Sequence, residues 1–307
     1  LTEGRFGIVG HVHADQLLID TGTAAALIAG QFPQWSPLPV RPVPSAGTVN
    51  ALFRVGDELV ARFPLRPGDP ADVLPELRRE AAAGAEIAGA TRWPTPLPKA
   101  IGRAGHGYPL AWAVQSWLPG RVAWGRPLDE DFAADLAGFV RDLRAVPTRG
   151  RRFEGTGRGG ALTDHDAWLE HCFERSIGLV DVPRLRTLWQ RLRILPGRVE
   201  VMSHGDLTPG NVLVGENGGL AGVIDVGGFG PADAGLDLVA AWTLFDEGPR
   251  QRFRAELATD DPRADALDWE RGRAWALQQA MGLVWYYRET NPAMHTLGMT
   301  TIERLLG

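Results

Sequence analysis

The chain is poor in the features that mark several protein classes. Its 307 residues include one cysteine, Cys172, so no intrachain disulfide can form, and a packing role in a reducing compartment is expected for it. No apolar run approaches the length that spans a bilayer, and the first residues show no basic-then-apolar leader pattern. A cytoplasmic location without a membrane partner is the expectation. No Gly-x-x-x-x-Gly-Lys-Ser/Thr loop occurs, which sets aside a Walker-type nucleotide site. Fixed-period repeats and long low-complexity tracts are missing too. A net charge of -5 supplies no basic surplus for nucleic acid, and mild acidity would suit a cationic small molecule. Lysine is almost absent: Lys99 stands alone, so 31 of the 32 basic residues are arginine. Any task usually given to lysine falls to arginine or is missing. The length suffices for two lobes, each with its own core.

What is present concentrates between residues 199 and 226. A short apolar run ending at Met202 meets His204, Gly205 and Asp206, and a turn at Pro209 and Gly210 delivers Asn211 to a second apolar run, Val212, Leu213 and Val214. Asn217 and Gly218 form a strong hairpin signal, so residues 220–224 should return antiparallel to 212–214. Asn211 and Asp225 then lie at one end of the hairpin, with Asp206 five residues before Asn211. Two carboxylates and an amide thus converge without any tertiary assumption. Hard cations such as Mg2+ take oxygen ligands and are often held by few protein groups together with phosphates. Asn211 and Asp225 suit that task, leaving Asp206 to accept a proton.

The flanking chain reads as alternating layers. The apolar spacing predicts a helix over 13–31, strands over 38–40, 51–55 and 59–63, a connection over 45–50 containing Gly47, and a tight turn at Gly56 and Asp57. Pro70 opens the next helix with Asp72 as N-cap. On it Val73, Leu77 and Glu80 share a face, and a carboxylate there needs a partner, for which Arg62 on the third strand is the candidate. After a rigid Pro-rich connection and an exposed Lys99, residues 110–118 read as a buried strand ending at Pro119, which places a domain boundary there. An amphipathic helix follows over 132–143. The Arg- and Gly-dense stretch 149–160 reads as a solvated loop, and two more helices are expected at 163–177 and 184–195. Asp233 should cap a helix running through Leu238, Trp242 and Phe245, and a long helix over 264–289 should turn Leu277, Met281 and Val284 inward. A last helix carries Met294, Leu297, Ile302 and Leu305. Asp260, Asp261, Asp265, Asp268 and Glu270 cluster around the start of the long helix, where acidic groups also complement the helix dipole.

His204, Gly205 and Asp206, then Asn211, then Ile224, Asp225, Val226 and Gly227, then Asp233, Asp237 and Leu238 form a series that resembles the aminoglycoside phosphotransferase family. These are small-molecule kinases with a protein-kinase-like fold, and the family includes macrolide phosphotransferases. The resemblance implies an α+β, bilobal fold: a small β-rich N-terminal nucleotide-binding lobe over 1–118 and a larger, mainly helical catalytic and acceptor-binding lobe over 119–307. It implies Asp206 as catalytic base, Asn211 and Asp225 as metal ligands, and His204, Asp233 and Asp237 as structural supports. Ser45, Gly47 and Thr48 would cover the phosphates, Arg62 paired with Glu80 would grip them, and Gln115, Ser116 and Trp117 would meet the adenine. Asp265, Glu270, Trp285 and Tyr286 are the acceptor-binding candidates. ATP or GTP and Mg2+ are the implied co-substrate and cofactor, and an aminoglycoside is the leading acceptor, with a macrolide or a small metabolite alcohol as rivals. The molecule is expected to work as a monomer or homodimer without nucleic acid. The pattern departs at Val226, where members commonly have an aromatic, at Ala232 and Ala234, which replace the Gly and Pro around Asp233, and at Arg62, which replaces lysine. The last change motivates a rival reading, a non-catalytic nucleotide-binding regulator.

Overall fold

A computed structural model describes residues 16–44, 49–155 and 157–307. The chain divides into two compact units, one made of Leu1–Ala88 and Pro96–Leu118, the other of Gly89–Thr95 and Pro119–Gly307. The architecture is α+β.

In the first unit, α1 (Thr21–Gln31) begins later than the spacing predicts. Asp20 caps it by accepting from the Thr23 N–H at 2.7 Å, while Leu17 N–H donates to Leu65 O. Ala14, expected in this helix, lies outside the described residues. The strands β1 (Val40–Val43), β2 (Asn50–Val55) and β3 (Leu59–Pro64) form an antiparallel meander. β1 starts where 38–40 was expected to end, because Leu38 N–H is engaged in a turn with Trp35 O. α2 (Pro70–Ala88) follows. Its cap is Asp69, not Asp72: Asp69 Oδ1 accepts from Ala71 N–H at 2.8 Å, and Pro70 occupies the first helical position, where no N–H is needed. β4 (Pro98–Gly102) and β5 (Trp112–Ser116) complete a sheet of order β1-β2-β3-β5-β4. β4 lies in a stretch whose prolines give it the pattern of a connection; it opens on a proline, and its place at the sheet edge is where a strand tolerates one. Lys99 is exposed on it. The core under the sheet is aromatic: Phe63 stacks on Trp112 at 4.7 Å and meets Phe53 and Tyr108 edge-on.

The second unit opens with β6 (Arg121–Val122) and α3 (Glu130–Arg144), capped by Asp129. The helices α4 (Asp166–Arg175) and α5 (Val182–Leu192) come next, then β7 (Val201–Ser203), β8 (Val212–Val214), β9 (Leu220–Val223) and β10 (Gly230–Ala232). The order β6-β8-β9 makes a three-stranded sheet and β7 pairs with β10. The chain ends in α6 (Ala240–Thr243), α7 (Glu247–Glu256), α8 (Pro262–Tyr286) and α9 (Pro292–Leu306). The helix expected from Asp233 through Phe245 is broken into a 3-10 turn, Leu236–Val239, and the short α6. Asp233 bonds the Gly235 N–H, a local side-chain turn that competes with an α-helical start. Gly89–Thr95 packs with this unit although it precedes β4. Trp93 lies so close to α3 that a Cβ on Gly138 would meet its ring at 2.4 Å. Thr91 hydroxyl donates to Asp142, and Val223 N–H donates to Pro94 O. Among the described residues no helix is long and apolar enough to cross a membrane.

Candidate active site

The antiparallel pair β7 and β10 carries everything between residues 203 and 230 as an excursion from its end, with Ser203 opposite Gly230. Within it the hairpin forms as the Asn217 and Gly218 signal predicts: Val212 pairs with Val223 and Leu213 with Gly222. One further step, Ile224 N–H to Asn211 O at 2.8 Å, sets Asn211 opposite Ile224 and next to Asp225. Asn211 is then clamped to Asp206. Its Nδ2 donates to the Asp206 carbonyl at 2.9 Å and to Asp206 Oδ2 at 3.2 Å. Hydrogen bonds thereby join Asn211 to Asp206 on one side and to Ile224, the residue before Asp225, on the other.

Buried groups fix this loop from behind. Asp237 accepts from the His204 N–H at 3.0 Å and the Gly205 N–H at 2.8 Å, so one buried carboxylate satisfies two loop donors. His204 Nε2 donates to Ile224 O at 3.0 Å and its Nδ1 accepts from the Asp206 N–H at 3.2 Å. The imidazole therefore ties the residue before Asp225 to the backbone of Asp206, a loop-orienting task. Asp225 itself has φ 60° and ψ 47°, a left-handed conformation costly for most side chains and milder for Asp. Such outliers persist where surroundings over-determine them, which is common at functional sites.

Asp233 makes a second brace that spacing alone did not reveal. Its Oδ2 is paired with the Arg271 guanidinium, both side chains being almost fully buried, and Arg271 also donates to Leu195 O and Pro196 O. A signal existed: Arg271 falls on the inward stripe of α8 with Ala274, Gln278 and Met281, and a charge on such a stripe calls for a partner. Arg144 also points at this region, donating to Ala234 O. Burial lowers its pKa, and Asp268, Asp237, Asp265 and Asp233 oppose the shift.

A further residue went unrecognised in the sequence. Arg158, from the stretch read as a solvated loop, forms an ion pair with Asp206 Oδ1. Contacts across 48 residues leave no local periodicity to read.

The first-unit candidates divide. Arg62 lies 3.8 Å from Glu80 on α2, and its guanidinium donates to Gln115 Oε1 at 3.4 Å. Ser116 N–H donates to Leu97 O and Trp117 N–H to Glu58 O, so both donors are engaged inside the unit. Ser45, Gly47 and Thr48 lie outside the described residues.

The acceptor candidates are drawn into local structure. Asp265 accepts from the N–H and hydroxyl of Thr259, Asp261 caps α8, Asp268 pairs with Arg198, and Glu270 lies near Arg191 and Arg273. Trp285 donates to Cys172 Sγ at 3.4 Å and packs against Trp168 and His171, while Tyr286 is 47% exposed. Burial pushes the Cys172 thiol up to about 11, which keeps it an inert packing group.

Among the described residues no cluster of three or more His, Cys, Asp or Glu is arranged to hold a metal. The donor set at the hairpin end is an amide and a carboxylate. That set fits Mg2+, which keeps several waters and takes few protein ligands beside phosphates.

The chain belongs to the phosphotransferase enzyme family, whose model matches residues 40–275. An aminoglycoside 3'-phosphotransferase from Escherichia coli is 30% identical over 172 residues, covering 50% of this chain and 60% of that protein. The chain thus aligns with less than two thirds of that relative's length. Among solved structures, a GDP complex of aminoglycoside 2'-phosphotransferase-IIIa superposes with a TM-score of 0.70 at 19% identity, covering 94% of this chain and 99% of that one. A macrolide 2'-phosphotransferase from Brachybacterium faecium gives 0.59 at 18% identity, covering 92% and 97%. At these identities the structural likeness establishes the fold.

Proposed function

We propose that this protein transfers the terminal phosphoryl group of ATP or GTP to a hydroxyl of a small molecule, with an aminoglycoside as the first acceptor class to test. The observation that carries the reading is that Asn211, bonded to Asp206, faces Ile224 beside Asp225 at one hairpin end, in a loop braced by Asp237 and His204. Family membership and an aminoglycoside-modifying relative support it, as do relatives of the same fold that carry GDP, kanamycin or ATP with streptomycin.

Phosphoryl transfer depends mainly on position and on neutralising charge. Asp206 orients the acceptor hydroxyl and takes its proton as the oxygen bonds to phosphorus. Asn211 turns its amide nitrogen to Asp206, so its amide oxygen, with the Asp225 carboxylate, is the group that would hold Mg2+. The ion, when bound, supplies positive charge to the phosphate oxygens. Arg62, steadied by Glu80 and Gln115, is assigned to the phosphates, where its planar fork binds differently from a lysine.

A macrolide is the second reading, and one observation favours it. The carboxylates near the start of α8 are engaged by Thr259, Arg198, Arg191 and Arg273, while Trp168 and Tyr286 stay exposed beside Trp285. Mg2+-dependent ADP and GDP formation, measured with aminoglycosides, macrolides and small metabolite alcohols, tests the proposal with Asp206→Asn as control. Stimulation by one acceptor class, lost in the variant, is expected. Nucleotide binding without turnover toward any acceptor would favour the non-catalytic regulator.

A further inference from the structure

We infer that Arg158 is a specificity-determining residue that shields Asp206 from water until an acceptor hydroxyl displaces it; the inference rests on the reading of Asp206 as proton acceptor. The two oxygens of Asp206 have different partners. Oδ2 accepts from Asn211 Nδ2, which also holds the Asp206 carbonyl, so that edge orients the carboxylate. Oδ1 is the edge left for proton transfer, and the Arg158 guanidinium occupies it.

The fold builds this contact. Gly159, next to Arg158, has φ 151°, and a Cβ there would meet the Phe153 ring at 2.4 Å, so the turn that presents Arg158 admits only glycine. The Gly159 carbonyl accepts from Nε2 of the buried His165 at 3.0 Å, and His165 Nδ1 accepts from Gln278 Nε2 on α8 at 3.3 Å. Phe153 N–H donates to Glu200 Oε2 at 2.8 Å, immediately before the strand that leads to His204. Backbone on both sides of Arg158 is thus tied to the core helix and to the root of the Asp206 loop.

The pair is poorly suited to a stabilising role. Its side chains are 42% and 34% exposed, and solvent-screened ion pairs add little to stability. Its effect falls on access to Oδ1. Water is always at hand and brings no binding energy of its own to move an arginine, whereas an acceptor held by its remote parts does. In the unwanted reaction the oxygen of water bonds to the terminal phosphorus, the bond from that phosphorus to the bridging oxygen breaks, and a proton of the water passes to Asp206. The products are nucleoside diphosphate and inorganic phosphate. In the productive reaction the acceptor hydroxyl takes the place of water and the phosphate ester forms.

The test needs no acceptor. Inorganic phosphate release from ATP and GTP in Mg2+ is measured for the unaltered full chain, Arg158→Gln, Arg158→Lys, Asp206→Asn and the double variant of Arg158→Gln with Asp206→Asn, with thermal melting as a fold control. Arg158→Gln is expected to raise release several-fold, Arg158→Lys to hold it at the original level because a cation remains, and the double variant to lose the gain. Release that does not rise in a folded Arg158→Gln protein overturns the inference and leaves the reading of Asp206 standing. A gain that survives in the double variant shows the effect does not pass through Asp206 and overturns the inference, while the reading of Asp206 is decided by acceptor-stimulated turnover in Asp206→Asn.

Discussion

The two units carry their candidate functional groups in opposite ways. In the first, Arg62 and Gln115 sit on regular strands, aligned by β3–β5 register, over an aromatic core of Phe53, Phe63 and Trp112. In the second, Asp206, Asn211 and Asp225 sit on irregular backbone, whose donors are met by a buried carboxylate and an imidazole. Strand register positions a side chain as a by-product of the ladder. A loop has no ladder, so buried partners must supply the rigidity. Damage to the braces of the second unit should therefore cost stability and activity together, whereas damage in the first unit should cost nucleotide affinity.

Asp206→Asn should produce the largest effect, a fall in kcat of about 10²–10⁴-fold, the usual share of a general base, with nucleotide affinity retained. Steady-state kinetics beside a nucleotide titration measures both, and an undiminished kcat would remove Asp206 from the chemistry. Arg271→Ala comes next. It leaves the buried Asp233 carboxylate unpaired, which costs about 3–5 kcal/mol, and urea unfolding should record the loss. Asp237→Ala removes the acceptor of two loop N–H groups and should cost about 1–3 kcal/mol. Here kcat should fall while the KM for nucleotide stays nearly constant; a change confined to that KM would contradict the brace. Arg62→Ala breaks a partly exposed pair at 3.8 Å, so its stability cost should stay below about 1 kcal/mol while the KM for ATP or GTP rises.

The smallest effect contrasts a screened ion pair with the buried one. The side-chain bond from Arg193 holds the Asp166 carboxyl below its usual value of 3.8, with the Trp189 N–H helping and burial opposing. A depressed folded pKa gives stability that is present above the unfolded value and lost as pH falls below it. Asp166→Asn should flatten that acid limb by less than about 1 kcal/mol, since the pair is exposed to solvent. Urea melts at neutral pH and below pH 3.8 provide the check. A flattening as large as the Arg271→Ala loss would erase the distinction between screened and buried pairs.

Legibility followed the range of the interaction. The hairpin and its two end residues were readable because an Asn-Gly turn between apolar runs acts over a few residues. The pairing of Arg62 with Glu80 was readable because helical spacing put a carboxylate on an apolar face. The same rule applied to Arg271 would have called for a buried partner. By contrast, the acidic residues at the start of α8 could not be sorted from sequence into caps and ligands. Thr259, Arg198 and Arg191 engage Asp265, Asp268 and Glu270, and two of these partners come from distant elements.

By itself, the sequence determined the order of the chemical groups, the hairpin that gathers them and most strand and helix periods outside β4 and the broken stretch after Asp233, since each rests on residues within a turn or two of one another. Tertiary structure alone decided which buried charges pair, that the backbone N–H groups of Ser116 and Trp117 are already engaged, and that Arg158 lies on Asp206. The physical reason is that a buried charge or donor must find a partner wherever packing offers one, and packing joins residues that share no spacing in the chain.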